Sequence, residues 1–114
     1  MGLTFAQLKS GPVNFPPVPV PVSGFCEPIL IHQFSINQMK NILSADKENP
    51  DVDEEYRVRN QLLKFLNGYE YEPTEEDRLA LLDIFSSGQI HEVYSKALKL
   101  NGKGPDALRE AEKN

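Results

Sequence analysis

The sequence has no tryptophan and a single cysteine, Cys26. One cysteine rules out an internal disulfide and fits a reducing compartment such as the cytosol. With His32 and His91 it is one of only three soft ligands, and no two of them stand at a metal-ligand spacing. No run approaches the roughly eighteen apolar residues that a membrane helix needs. Met1-Gly2-Leu3-Thr4-Phe5 lacks both the charged start and the apolar core of a signal peptide. Ala6 stands where a myristoylation motif requires Ser or Thr. Lysine and arginine form no cluster or stripe, which argues against a nucleic-acid or membrane partner. A cytosolic location is expected unless a partner carries the protein elsewhere.

The signatures of catalysis are missing too. There is no Gly-x-Ser-x-Gly, no phosphate loop and no glycine-rich dinucleotide fingerprint. Cys26 sits between Phe25 and Glu27 without a basic neighbour, so its thiol reads as quiet. Glu70, Glu72, Glu75 and Glu76 flank Pro73 and a helix start, where capping and solubility account for them. An EF-hand register beginning at Asp46 puts Asp51 at the obligatory glycine and Arg57 at the bidentate glutamate. Beginning at Asp51, the same positions are Tyr56 and Leu62. The expectation is a chain with no catalytic residue, metal or cofactor, whose work is binding other proteins.

What is present fits one small folding unit of 114 residues. The net charge of −5 is unevenly spread. Between Asp46 and Glu92 thirteen acidic residues face five basic ones, whereas from Lys96 onward five basic residues outnumber three acidic. The acidic middle reads as solvated helix surface.

Thr4 and Gln7 have capping-box spacing, which predicts a short helix to Ser10 with Phe5 and Leu8 on one face. Pro16-Pro17-Val18-Pro19-Val20-Pro21-Val22 then alternates strictly, which predicts an extended ribbon with its valines on one face. Proline donates no ladder bond, so the ribbon is polyproline II or an edge strand able to pair on one side only. Ser23-Gly24 reads as a turn, and Glu27 to Phe34 as a strand rich in branched residues. The fold class is therefore mainly α: residues 1–34 form an extended segment with a β-hairpin or Pro-Val ribbon, and residues 35–114 form a small helical bundle.

A capping box at Ser35-Ile36-Asn37-Gln38 opens a helix with Ile36, Met39, Ile42 and Leu43 on one face. Asn49-Pro50 breaks it. A second helix runs from about Asp53 to Asn67, with Tyr56, Leu62, Leu63 and Leu66 as its stripe and Gly68 as its cap. Thr74-Glu75-Glu76-Asp77 starts a third, with Leu79, Leu82, Ile84 and Phe85 expected inside. Ser87-Gly88 separates it from a fourth that carries Ile90, Val93, Tyr94, Ala97 and Leu98 inward and closes at Asn101-Gly102. A last short helix is expected from Gly104-Pro105. Candidate binding residues are Val18, Val20 and Val22 on the ribbon, which serves either as a partner edge or as a wall over the core. Tyr69 and Tyr71 beside a loop are further candidates, as are Ile90 and Tyr94, for which a place in the core is the stronger reading.

The order of these features resembles the tail assembly chaperones of long-tailed, non-contractile bacteriophages and related prophages. The resemblance spans most of the chain. It is carried by Val18-Pro19-Val20-Pro21 with Gly24, by Ile29-Leu30-Ile31 leading into Phe34-Ser35, and by Thr74-Glu75-Glu76-Asp77. It is carried furthest by Ala97-Leu98-Lys99-Leu100-Asn101-Gly102 and the ending Ala107-Leu108-Arg109-Glu110-Ala111-Glu112-Lys113-Asn114. The unbroken Pro-Val ribbon and the missing tryptophan are departures from that pattern. The resemblance implies a protein that coats the tape measure protein, recruits tube subunits, self-associates and is absent from the finished particle. It also implies a longer form, made by programmed frameshifting, that contacts the major tail tube protein. A small cytosolic regulator or inhibitor, and a structural head–tail connector, are the other classes compatible with the residues.

Glu112-Lys113-Asn114 can be encoded GAA AAA AAC, which contains A AAA AAC, a run on which a ribosome can slip back one base. Silent recoding of this run is expected to abolish a minor longer product and leave the short one unchanged, as read by immunoblot with an N-terminal tag. Genomic DNA with no slippery run and no overlapping frame would remove the expectation.

Overall fold

The chain runs α1 (Phe5–Ser10), β1 (Val18–Val20), β2 (Ile29–Ile31), α2 (Ile36–Ser44), α3 (Glu54–Asn67), α4 (Glu75–Ile84) and α5 (Ser87–Leu100). These elements come from a computed structural model that describes residues 2–10, 15–45 and 52–102. The protein is mainly α with one small antiparallel hairpin. The expected last helix from Gly104 and the chain's final residues lie outside the described segments.

Local chemistry sets where each helix begins. Ser35, Asp53, Thr74 and Ser86 have extended backbones, and each side chain accepts the N–H of the residue three positions on. Such a cap contributes about 1 kcal/mol over alanine. Ser35–Gln38 and Ser86–Gln89 close the full reciprocal box, and Thr4 and Gln7 do the same before α1. The second of these boxes corrects the expected boundary. Ser87-Gly88 lies in the first turn of α5 and separates nothing; Phe85-Ser86 is the break. The signal was legible as Ser-x-x-Gln, but the neighbouring Ser-Gly pair masked it. Gly68 ends α3 at φ 105° and ψ 167°, a conformation open essentially to glycine alone.

The Pro-Val ribbon pairs as a strand. Val18 lies opposite Ile31, Pro19 opposite Leu30 and Val20 opposite Ile29. Proline has no N–H to exchange, so Pro19–Leu30 is the non-hydrogen-bonded pair and the ladder runs through the valines. Pro17, Pro19 and Pro21 stand at alternate positions, so the edge that Pro19 turns away from β2 has no N–H donor at any of the three. Val20, Val22 and Ile31 point into the helices, while Leu30 lies on the outer face, about half exposed.

Hairpin and helices share one core. Phe65, Leu62, Met39, Ile31, Val93 and Ala97 are essentially sealed from solvent, with Leu63, Leu81, Ile42 and Phe85 close behind. Helix α3 lies at the centre, in contact with β2, α2, α4 and α5. Phe65 was not in the expected stripe of α3, yet it is the largest fully buried side chain. Leu62, Leu63, Phe65 and Leu66 are apolar on nearly every side of the helix, so the pattern alone does not reveal which side faces the most neighbours.

Three expected core positions are corrected. Leu79, Leu82 and Ile84 are each more than half exposed, and α4 buries only Leu81, with Phe85 just past its end. This helix meets the core along the row Asp77, Leu81, Phe85, with Leu79 on the opposite side and Leu82 on the flank. Ile36 is 85% exposed because it is the first residue of α2 and projects past the core, which begins at Met39. Leu66 and Leu98 are half-buried against the core, whereas Leu62, Phe85 and Val93 are inside as expected.

Phe65→Ala is expected to lower unfolding stability by about 3–5 kcal/mol, whereas Leu82→Ala should change it by less than about 0.5 kcal/mol. Urea denaturation of both variants checks this. A large loss at Leu82 with a small one at Phe65 would restore the phasing read from sequence.

Candidate functional site

Two constructions near the helices bring polar side chains together. The first is a clasp between the hairpin turn and α5. The Ser23 N–H donates to Glu92 Oε2 at 3.0 Å, and Gln89 Nε2 donates to the Ser23 carbonyl at 2.9 Å. Lys96 Nζ donates to the Pro21 carbonyl at 2.6 Å and pairs with Glu92 at 2.9 Å. Gly24 turns the chain at φ 89°, and a Cβ there would come within 2.5 Å of Gln89 Nε2. Phe25 packs on Phe85, ring centroids 5.5 Å apart. A second tie holds the strand exit: Asn101 Oδ1 accepts from Phe34 N–H at 2.8 Å, and its Nδ2 donates to the His32 carbonyl at 3.3 Å. Asn101 thus fixes the end of α5 to the end of β2, a role for the Leu-Asn-Gly stretch that the sequence reading did not assign.

The second construction is a groove of about 460 Å³ between α2, α3 and the 69–73 loop. Two of its three cations, Lys64 and Arg78, meet polar or aromatic neighbours in a definite way. Lys64 Nζ donates to the Tyr69 carbonyl at 2.8 Å and lies 5.4 Å from the ring centroid. Arg78 stacks 4.6 Å over the Tyr56 ring and donates to Asn60 at 2.9 Å and to Glu75. Asn41 Nδ2 donates to the Tyr69 hydroxyl at 2.9 Å. Glu70 and Glu72 stand at the rim. These groups stiffen the loop, and among the described residues the Arg57 side chain, alone of the three lining cations, has no ion pair or hydrogen bond.

The sequence candidates divide as follows. Val20 and Val22 are buried and Val18 is half-buried, all packed with the helices, so the ribbon is a wall over the core. Ile90 and Tyr94 also pack on the core, and Tyr94 donates to the buried Gln61. Burial, with the charge of Glu54 added, raises the Tyr94 pKa above its ordinary value. Tyr71 donates to Asp77, and burial together with that bond raises its pKa as well. Tyr69 lies in the groove beside Phe34. The structure therefore brings Tyr69 to a surface depression and commits the other candidates to packing.

Apolar side chains that the sequence reading left out of its binding list are on the surface. Leu79 and Leu82 lie on the outward face of α4, and Leu3, Phe5 and Leu8 are exposed on and before α1. The signal in α4 was the excess itself, since Leu79-Ala80-Leu81-Leu82-Asp83-Ile84-Phe85 holds more apolar residues than one buried face can take. Among the described residues no group of three or more His, Cys, Asp or Glu could hold a metal, and no helix is long and apolar enough to cross a membrane.

The fold and its surfaces define a small mainly helical protein with an N-terminal hairpin built into its core. No family model, curated protein or solved structure matches the chain.

The clasp carries a pH dependence. The hydrogen bond from Lys96, then that from the Ser23 N–H, hold the Glu92 carboxyl down at about 2 against an ordinary 4.5. The folded state thus takes up this proton less readily than the unfolded chain. Its contribution is complete above about 4.5 and is lost as pH falls toward 2. Glu92→Gln should therefore be less stable than wild type at neutral pH, with the gap closing through that window, as read from urea transitions at stepped pH. A gap that stays constant down to the acid end would mean that the clasp does not hold this carboxylate.

Proposed function

We propose that this protein is a tail assembly chaperone of a long-tailed bacteriophage or prophage. It coats the tape measure protein in the host cytoplasm, promotes assembly of the tail tube and is absent from the finished particle. A longer frameshifted form brings the major tail tube protein to the complex.

The observation that carries this reading is the set of large apolar side chains left on helical surfaces, Phe5 and Leu8 on α1 and Leu79 and Leu82 on α4. A tape measure protein is a long helical chain whose apolar stripes need cover until the tube encloses them. Short apolar faces offered by many small copies supply that cover through weak contacts that add by avidity and still release. The resemblance in motif order, from the Val-Pro run to Leu100-Asn101-Gly102, agrees with it. The acidic surface of the middle helices keeps such a coat soluble.

Co-expression with the tape measure protein encoded beside it tests the reading. The expected outcome is a rise in soluble tape measure protein, with several copies of this chain per tape measure chain by light scattering. A one-to-one complex with a cytosolic enzyme would favour an inhibitor, and recovery of the chain from purified particles by mass spectrometry would favour a connector.

A further inference from the structure

The α3 side of the groove presents donors without acceptors to match. Arg57, Asn60, Gln61 and Lys64 follow helical spacing along α3, so they share one face, and that face lines the groove. The oxygens of the two amides are already taken. Asn60 Oδ1 accepts from Arg78 at 2.9 Å, and a guanidinium only donates, so the Asn60 NH2 group is turned the other way. Gln61 Oε1 accepts from the Tyr94 hydroxyl. Gln61 is nine-tenths buried, yet its Nε2 has no partner among the described residues. No fully buried side-chain nitrogen or oxygen among those residues is unsatisfied, so this nitrogen reaches solvent, and it does so on the groove that Gln61 lines. The Tyr69 hydroxyl accepts from Asn41 and keeps its own hydrogen, while Lys64 gives one hydrogen to the Tyr69 carbonyl and keeps the others. The Arg57 guanidinium gives none among the described residues.

We propose that this groove binds the carboxylate of a glutamate or aspartate in a peptide segment that carries a lysine or arginine beside it. Arg57 takes the carboxylate through two parallel N–H bonds, and Asn60 Nδ2, Gln61 Nε2 and Lys64 supply further donors. The charge layout sets the rest of the ligand. Glu75 pairs with Arg78, which leaves the charges of Arg57 and Lys64 inside the groove. Glu70 and Glu72 stand at the rim, with no ion pair among the described residues. A nucleic acid or phosphate chain would meet those two carboxylates and a net charge of −5. A single carboxylate flanked by a cation meets opposite charge both inside and at the rim. The volume of about 460 Å³ falls within the roughly 300–1,000 Å³ of small-ligand sites. So few contacts give a weak complex, with a Kd on the order of a millimolar. The site uses none of the exposed leucines and phenylalanines of α1 and α4, so it and the tape measure reading fail separately.

The test is an NMR titration of the full chain, labelled with nitrogen-15, against the blocked peptide acetyl-Ala-Lys-Glu-Lys-Ala-amide. The peptide should move the side-chain NH2 resonances of Asn60 and Gln61 and the Nε–Hε resonance of Arg57, and the shifts should saturate. The same peptide with glutamine in place of glutamate should bind about tenfold more weakly, the size of one charge-assisted hydrogen bond. Arg57→Gln should cost about tenfold in affinity for the glutamate peptide. Its thermal transition should match wild type, because the side chain holds no ion pair or hydrogen bond among the described residues. Glu70→Gln with Glu72→Gln should weaken the peptide about threefold, the size of an exposed ion pair, while sodium acetate binds no less well than to wild type. Still resonances at Asn60 and Gln61 up to about 10 mM peptide, a glutamine peptide that binds equally, or an unchanged affinity in Arg57→Gln would each overturn the proposal.

Discussion

Phe65 is the point on which the fold turns. Its ring is fully buried between the Phe34 and Tyr94 rings, at centroid distances of 5.8 and 6.3 Å. Its carbonyl accepts the His32 N–H at 2.8 Å, which joins the exit of β2 to the last turn of α3. One residue thus couples side-chain packing of α5 and the α2 entry to a backbone bond with the hairpin. In a chain without tryptophan, this phenylalanine supplies the volume at the centre. Removing it would leave a cavity shared by hairpin and helices, with no single element able to collapse into it.

The hairpin gains its stability from the same centre. Two strands of three residues hold together poorly in water unless a helix covers them. Here Val20, Val22 and Ile31 lie against the helices, and the Glu92–Lys96–Gln89 clasp fixes the turn from the other side. The prolines lend stiffness and silence the outer edge, since an edge without donors cannot recruit a strand. The Pro-Val ribbon is therefore a wall over the core.

Much of this was legible in the residues. Ser35-x-x-Gln38, Asp53 and Thr74 marked helix starts because capping is local chemistry that tertiary packing rarely overrides. The one-sided pairing of the ribbon followed from the missing imide hydrogens alone. What was not legible was phase. Leu62 to Leu66 and Leu79 to Phe85 are apolar on more than one side, and periodicity then gives no unique inward direction. The helix that lies between four neighbours buries its surplus; the helix that touches the core along one row exposes it. Tyr71 and Tyr94 had the composition of contact residues, but hydrogen bonds to Asp77 and Gln61 took them into the structure.

The exposed leucines of α4 are tied to the way that helix is built. Its first turn carries Glu75, Glu76 and Asp77, where the helix dipole favours negative charge. Asp77 is spent on Tyr71 and Glu75 on Arg78, which anchor the inner side. Glu76 and Asp83 stay on the outer side, around Leu79. A face that is apolar at its centre and acidic at its margin resists the approach of an identical face, because like charges repel. The charge pattern therefore disfavours self-pairing of α4 with α4.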